Sequence, residues 1–165
     1  MASLIGVNPT LSAYLSIVRH ANVPNENGVD PQLEQFLRRS TNSGSTIFVP
    51  SNEAVTEYLN ESGAIGETLQ ERILTLNQTE ASRVVRYHQL NGTVVSDSLS
   101  TGIVASRLGD ANLTIDAEQR TITDERARVA NINTTFTDIH ALNGVLHVID
   151  RLLLPAIPEE EVSAE

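Results

Sequence analysis

Thr46-Ile47-Phe48-Val49-Pro50-Ser51-Asn52-Glu53-Ala54 holds a strand, its stop and the start of a helix. Thr, Ile, Phe and Val form a short β-prone run that suits a buried strand. Pro50 has no N–H to give to a ladder and ends it. Ser51 can accept a bond from the first helical turn, and Asn52 can bond backbone at the same corner. Ala54, Val55, Tyr58 and Leu59 then recur at helical spacing.

Upstream of this corner the chain reads as helical. Asn8 and Pro9 form a start signal, and Leu11, Tyr14, Leu15 and Val18 line one face. Residues 22–29 are a loop by composition. Asp30-Pro31 restarts a helix with Leu33, Phe36 and Leu37 as its stripe, and a turn at 42–45 precedes the strand. Downstream, Leu69, Ile73 and Leu76 mark a helix. Thr79 is read as the cap of another, with Ala81, Val84, Val85 and His88 on its inner face.

After Asn91-Gly92 the period changes. Short β-like runs are expected at 93–95, 103–108, 113–115, 120–123, 127–132 and 145–149, separated by turns such as Gly109-Asp110. Asn143-Gly144 is a tight-reversal signal. On the last strand Val145, His147 and Ile149 face one way, Leu146, Val148 and Asp150 the other. Helices first and strands later predict an α+β fold, a small β-sandwich or pair of twisted sheets flanked by helices of the N-terminal half. No repeat or linker interrupts the chain. The economical division is one domain over residues 1–156 and an acidic tail over 157–165, carrying Glu159, Glu160, Glu161 and Glu165.

The 165 residues carry a net charge of −10, and all eleven basic residues are arginine. Such a chain repels phosphate backbones and anionic membranes, so nucleic acid is not an expected partner. Without cysteine there is no thiol nucleophile, disulfide or thiolate metal site; without lysine there is no Schiff-base chemistry. No apolar run approaches the roughly 20 residues of a membrane span. Met1 to Ser16 has no basic region followed by an apolar block, so no signal peptide is expected there. Five stretches fit the N-glycosylation pattern, at Asn60, Asn77, Asn91, Asn112 and Asn133. About two would arise by chance, and polar turns rich in Asn and Thr account for them equally well.

Three segments, in order and at the right spacing, resemble the fasciclin-type domain family. They are Thr46–Ala54, the pair Tyr87-His88 at a helix end, and Asn143-Gly144-Val145-Leu146-His147-Val148-Ile149-Asp150 running into Leu152-Leu153-Leu154-Pro155. The resemblance extends from about Asn8 to Pro155. Val49 and Ser51 stand where the family often has Ala and Thr. The long loop at 22–30 and the missing lysine resemble fungal or microbial members more than animal ones.

The resemblance implies a non-catalytic, secreted or cell-surface module that binds a protein, a surface or a matrix ligand in adhesion or wall association. In animal members the region around the Tyr-His pair is implied in adhesion. That makes Tyr87 and His88, with Arg83, Arg86 and Gln89 around them at the surface, the expected contact patch. The opposing reading makes Tyr87 a ring at the helix end and His88 and His147 buried neutral histidines bonded to backbone or carboxylate.

The enzyme question stays open, although no catalytic motif is present. The alternative function is an accessory protein or small enzyme of a fungal secondary-metabolite pathway. It would hold a hydrophobic aromatic intermediate in an apolar pocket, with His88, His140, His147 and Tyr87 as acid–base candidates. No cofactor is expected. His140 and His147 lack a third ligand at metal spacing, so no metal is expected either. Asp138 and Asp150 are candidates to orient a histidine. Arg126 and Arg128 alternate on a presumed strand, where they would be exposed charges or a grip for a carboxylate.

Overall fold

The computed structural model describes residues 12–21, 45–92, 94–108, 111–133, 139–141 and 144–156. The helix expected from Asp30, the acidic tail, and the starting signals at Asn8 and Asn143 lie outside the described residues. Helix α1 spans Ser12–Ala21, strand β1 Ser45–Pro50, and helices α2, α3 and α4 span Asn52–Glu61, Leu69–Leu74 and Gln78–Tyr87. Strands follow: β2 Gln89–Asn91, β3 Gly102–Ala105, β4 Asn112–Asp116, β5 Thr121–Thr123, β6 Val129–Asn131, β7 Ile139–Ala141 and β8 Gly144–Ile149. They form two four-stranded sheets, ordered β2-β1-β8-β7 and β3-β4-β5-β6. The fold is α+β, as expected.

β1 and β8 run parallel at the middle of the first sheet, with Ile47 opposite Leu146 and Val49 opposite Val148. Both strands are buried on both faces. Their sequences are therefore largely apolar and do not alternate between apolar and polar residues. Ile47, Val49, Leu146 and Val148 face a core shared with Tyr14, Ile17 and Val18 of α1, Val55 and Leu59 of α2 and Val84 and Val85 of α4. Phe48 and Ile149 face a second core with Leu113, Ile115, Ile122 and Ala130 of the other sheet. That second sheet alternates, with Leu113 and Ile115 in and Asn112 and Thr114 out.

The corner after β1 is closed by polar contacts. The Ser51 N–H donates to Ile149 O at 3.1 Å and extends the parallel ladder. The Ser51 hydroxyl accepts from Ala54 N at 3.3 Å and caps α2. Asn52 reaches further: its Oδ1 accepts from Ala13 N at 2.9 Å and satisfies a first-turn donor of α1.

Three local expectations are corrected. Asn77, not Thr79, caps α4, its Oδ1 accepting from Thr79 N and Glu80 N; asparagine ranks above threonine in this role. Val94 and Val95 are not in a strand and lead into a single 3₁₀ turn, Ser96–Ser98. Side chains take the Val94 backbone instead, its N–H donating to Thr46 Oγ1 and its carbonyl accepting from His147 Nε2, both at 2.8 Å. The strand expected at 127–132 begins only at Val129, because residues 125–127 belong to a turn. The three-residue strands β2 and β7 had no periodic signal to betray them.

Ile47 sits with no exposed surface at the centre of the helical core. Ile47→Ala is expected to destabilise the domain by about 3 kcal/mol in urea unfolding. A loss below about 1 kcal/mol would contradict this central placement.

Candidate functional site

Tyr87 and His88 end helix α4, and their side chains leave in different directions. The Tyr87 hydroxyl donates to Asn112 O at 2.7 Å and accepts from Glu125 N at 3.0 Å, which fastens the helix end to the second sheet. Burial, the largest influence, pushes its hydroxyl well above the ordinary tyrosine range. His88 turns toward the helical core, its ring 5.8 Å from that of Tyr14. Its Nδ1 lies 2.7 Å from Val84 O, and its Nε2 accepts from Leu153 N at 2.9 Å. A carbonyl can only accept and an amide can only donate, so the ring is neutral with its proton on Nδ1. Burial pushes His88 down to about 4, outweighing the upward pull of the Val84 bond.

Neither ring has surface open to solvent. Gln89, expected at the surface, is also buried. Its amide lies beside the Tyr14 hydroxyl without reaching hydrogen-bond geometry. Arg83 and Arg86 remain partly exposed, one turn apart on α4. Burial and then the Arg86 charge lower Arg107, so its guanidinium lies within reach of the Arg86 charge.

His147 is buried too. It stacks on Phe48 with ring centroids 5.7 Å apart, and its Nε2 donates to Val94 O. The side chain of His140 lies outside the described residues. Asp150 orients no described histidine: its carboxylate accepts from the backbone and side-chain amides of Asn131 at 2.7 and 2.8 Å. Asp138 lies outside the described residues.

Sequence reasoning missed Asp124. Its buried carboxylate accepts from Arg126 N and Arg128 N at 2.9 Å each, and from Leu154 N at 3.0 Å. The segment 152–156 is thus held by side chains and not by a strand. Leu153 N is held by His88, Leu154 N by Asp124, and Ala156 N by Glu125 at 2.9 Å; Arg126 Nε donates to Pro155 O at 2.9 Å. An Asp at a strand end, two residues before an N–H it can accept, was the available signal. Arg126 and Arg128 do not share a strand face. Arg126 lies in the turn, and Arg128 pairs with Glu61 at 3.0 Å.

A groove of about 560 Å³ runs between the α2 end and this turn, lined by Tyr58, Ile65, Leu76, Glu80, Arg126 and Leu154 among others. None of His88, His147 or Tyr87 lines it. Among the expected glycan acceptors, Asn60, Asn77, Asn112 and Asn133 are exposed. The Asn91 side chain lies outside the described residues.

The fold of two small sheets under a helical layer matches known proteins. Residues 16–155 match the fasciclin domain model, and the chain belongs to that family. It is 29% identical over 110 residues to protein sll1483 of Synechocystis sp., covering 67% of this chain and 54% of that one. Identity to human periostin is also 29% over 110 residues, covering 12% of periostin. The fold matches a FAS1 domain pair from the insect cell adhesion molecule fasciclin I. The TM-score is 0.64 at 15% identity, over 98% of this chain and 52% of that one. The chain therefore spans about half the length of the Synechocystis protein and of the domain pair, and far less of periostin.

Two outcomes follow from the Tyr87-His88 clasp. Tyr87→Phe leaves Asn112 O and Glu125 N without their shared partner and is expected to cost about 1–3 kcal/mol in chemical unfolding. For His88, the unfolded chain takes up a proton as pH falls through about 6.5, whereas the folded ring does so only near 4. Between those values the unfolded state binds the extra proton, so stability falls with pH; above about 6.5 the full contribution is present. Wild type should lose roughly 2–3 kcal/mol more than His88→Gln between pH 7 and pH 4. Parallel losses in the two proteins would contradict a neutral, buried His88.

Proposed function

We propose that this domain is a non-catalytic binding module of the adhesion type, acting outside the cell or at its surface. One observation carries the reading: both ring nitrogens of His88 are bonded to backbone in a closed interior. The ring best placed by sequence for acid–base work is committed to holding the scaffold. The pocket reading of an aromatic-processing accessory protein draws no support from the groove, because the three described candidate side chains stand away from it. Likeness to a fasciclin I domain pair, from a molecule described as an insect cell adhesion molecule, supports the adhesion reading.

The contact patch then falls to the outer face of α4. Arg83 and Arg86 share that face, with Arg107 within reach of the Arg86 charge. These guanidiniums form a spot of charge-assisted donors. Such a spot suits a partner that presents carboxylate or sulfate groups on a protein, surface or matrix. Tyr87 and His88 serve this patch from beneath by fixing the end of the helix.

The test uses beads coated with the whole chain and cells of the producing organism. Retention above uncoated beads is expected, and Arg83→Glu with Arg86→Glu should reduce it severalfold without altering the circular dichroism spectrum. Equal retention by coated and uncoated beads, or by wild type and the double variant, counts against the patch. Retention of the chain inside cells, with no glycan at any of the five Asn on expression in a eukaryotic secretory host, counts against the extracellular assignment.

A further inference from the structure

Two outer strands of the sheets are capped by identifiable bonds. On β2, the outward Gln89 carbonyl accepts from Arg107 N at 2.8 Å. On β6, Asn131 O accepts from Asp150 N at 3.2 Å, Ile132 bridges Ile149, and Asn133 N donates to Val148 O at 2.7 Å. Strand β3 differs. It pairs with β4 on one side, and among the described residues no backbone group meets it on the other.

The register shows which groups β3 offers. Ser106 N donates to Ala111 O at 3.1 Å, so the directly bonded pairs on the β4 side are Ser106 with Ala111, Val104 with Leu113 and Gly102 with Ile115. Alternation then turns the N–H and C=O of Ile103 and Ala105 toward the open edge. Natural sheets blunt such an edge with charge, proline or a bulge. Here Leu99 to Ser106 has no charged residue and no proline. Ile103 is 75% exposed, the largest exposed apolar side chain in any described strand.

We infer that β3 is a self-association edge whose partner is the β3 strand of a second copy of this chain. Antiparallel pairing about a two-fold axis at Val104 sets Ile103 opposite the partner's Ala105, and Ala105 opposite the partner's Ile103. Each exchange uses both outward backbone groups of each residue, and a bulky side chain meets a small one. The axis closes on itself, so the product is a dimer and not a filament. Two chains of net charge −10 repel one another over most of their surface, and this uncharged strand is a place where they can approach without facing like charges. Four residues bury less than the ~1,200 Å² of a stable interface, so the pairing is weak and reversible. The inference requires neither an extracellular location nor an anionic ligand, so it stands or falls apart from the proposed function.

Sedimentation velocity of the full chain from about 10 µM to about 1 mM tests it. Wild type should move from monomer toward dimer across that range. Ile103→Lys, which puts a charge at the edge without touching a core, should raise the dissociation constant at least about tenfold. Ile65→Lys, a change at an equally exposed isoleucine on the groove rim, should leave it unchanged. Amide exchange at Ile103 and Ala105 should slow with rising concentration in wild type alone. Monomer throughout, association that Ile103→Lys leaves intact, or equal sensitivity to Ile65→Lys would each overturn the assignment.

Discussion

One imidazole that burial keeps neutral near pH 7 joins the parts of this domain. His88 stands where helix α4 ends, with Nδ1–H on a carbonyl of its own helix and Nε2 receiving an amide of the closing segment 65 residues on. The arrangement works only for the neutral ring in one tautomer. Burial supplies the neutrality by penalising the charged form. Next to it, Tyr87 carries the same helix end across to the second sheet. The helical layer, the second sheet and the closing segment thus meet within two consecutive residues.

This clasp explains why the closing segment needs no ladder of its own. His88, Asp124, Glu125 and Arg126 hold successive backbone groups from Leu153 to Ala156, three by accepting and one by donating. Leu152, Leu153 and Leu154 are buried as a result. It also bears on function. Residues that hold such a segment in a closed interior are not available to a substrate.

Much of the fold was legible because its signals are local. The Pro50-Ser51 corner, the apolar stripe of α2, the helix end at Tyr87-His88 and the final buried strand all follow from neighbouring residues. The alternation of β8 correctly placed His147 and Ile149 on the face away from Leu146 and Val148. What stayed hidden depends on distant partners. Gln89 reads as a polar surface residue, yet β2 pairs with β1 and carries it inside. Val94 reads as a strand residue, but the hydroxyl of Thr46 and the ring of His147 claim its backbone first. Asp124 went unread, because the Leu154 amide it holds lies 30 residues away. The buried state of Tyr87 and His88 was one of two readings from sequence, and only packing could separate them.

The direct test of the clasp is the protonation state of one ring. Nitrogen-15 NMR of the histidine side chains in the folded domain should show His88 as the neutral tautomer with hydrogen on Nδ1 near pH 7, unchanged down to about pH 5. A hydrogen on Nε2, or a ring that titrates near pH 6.5 while the domain remains folded, would contradict the account.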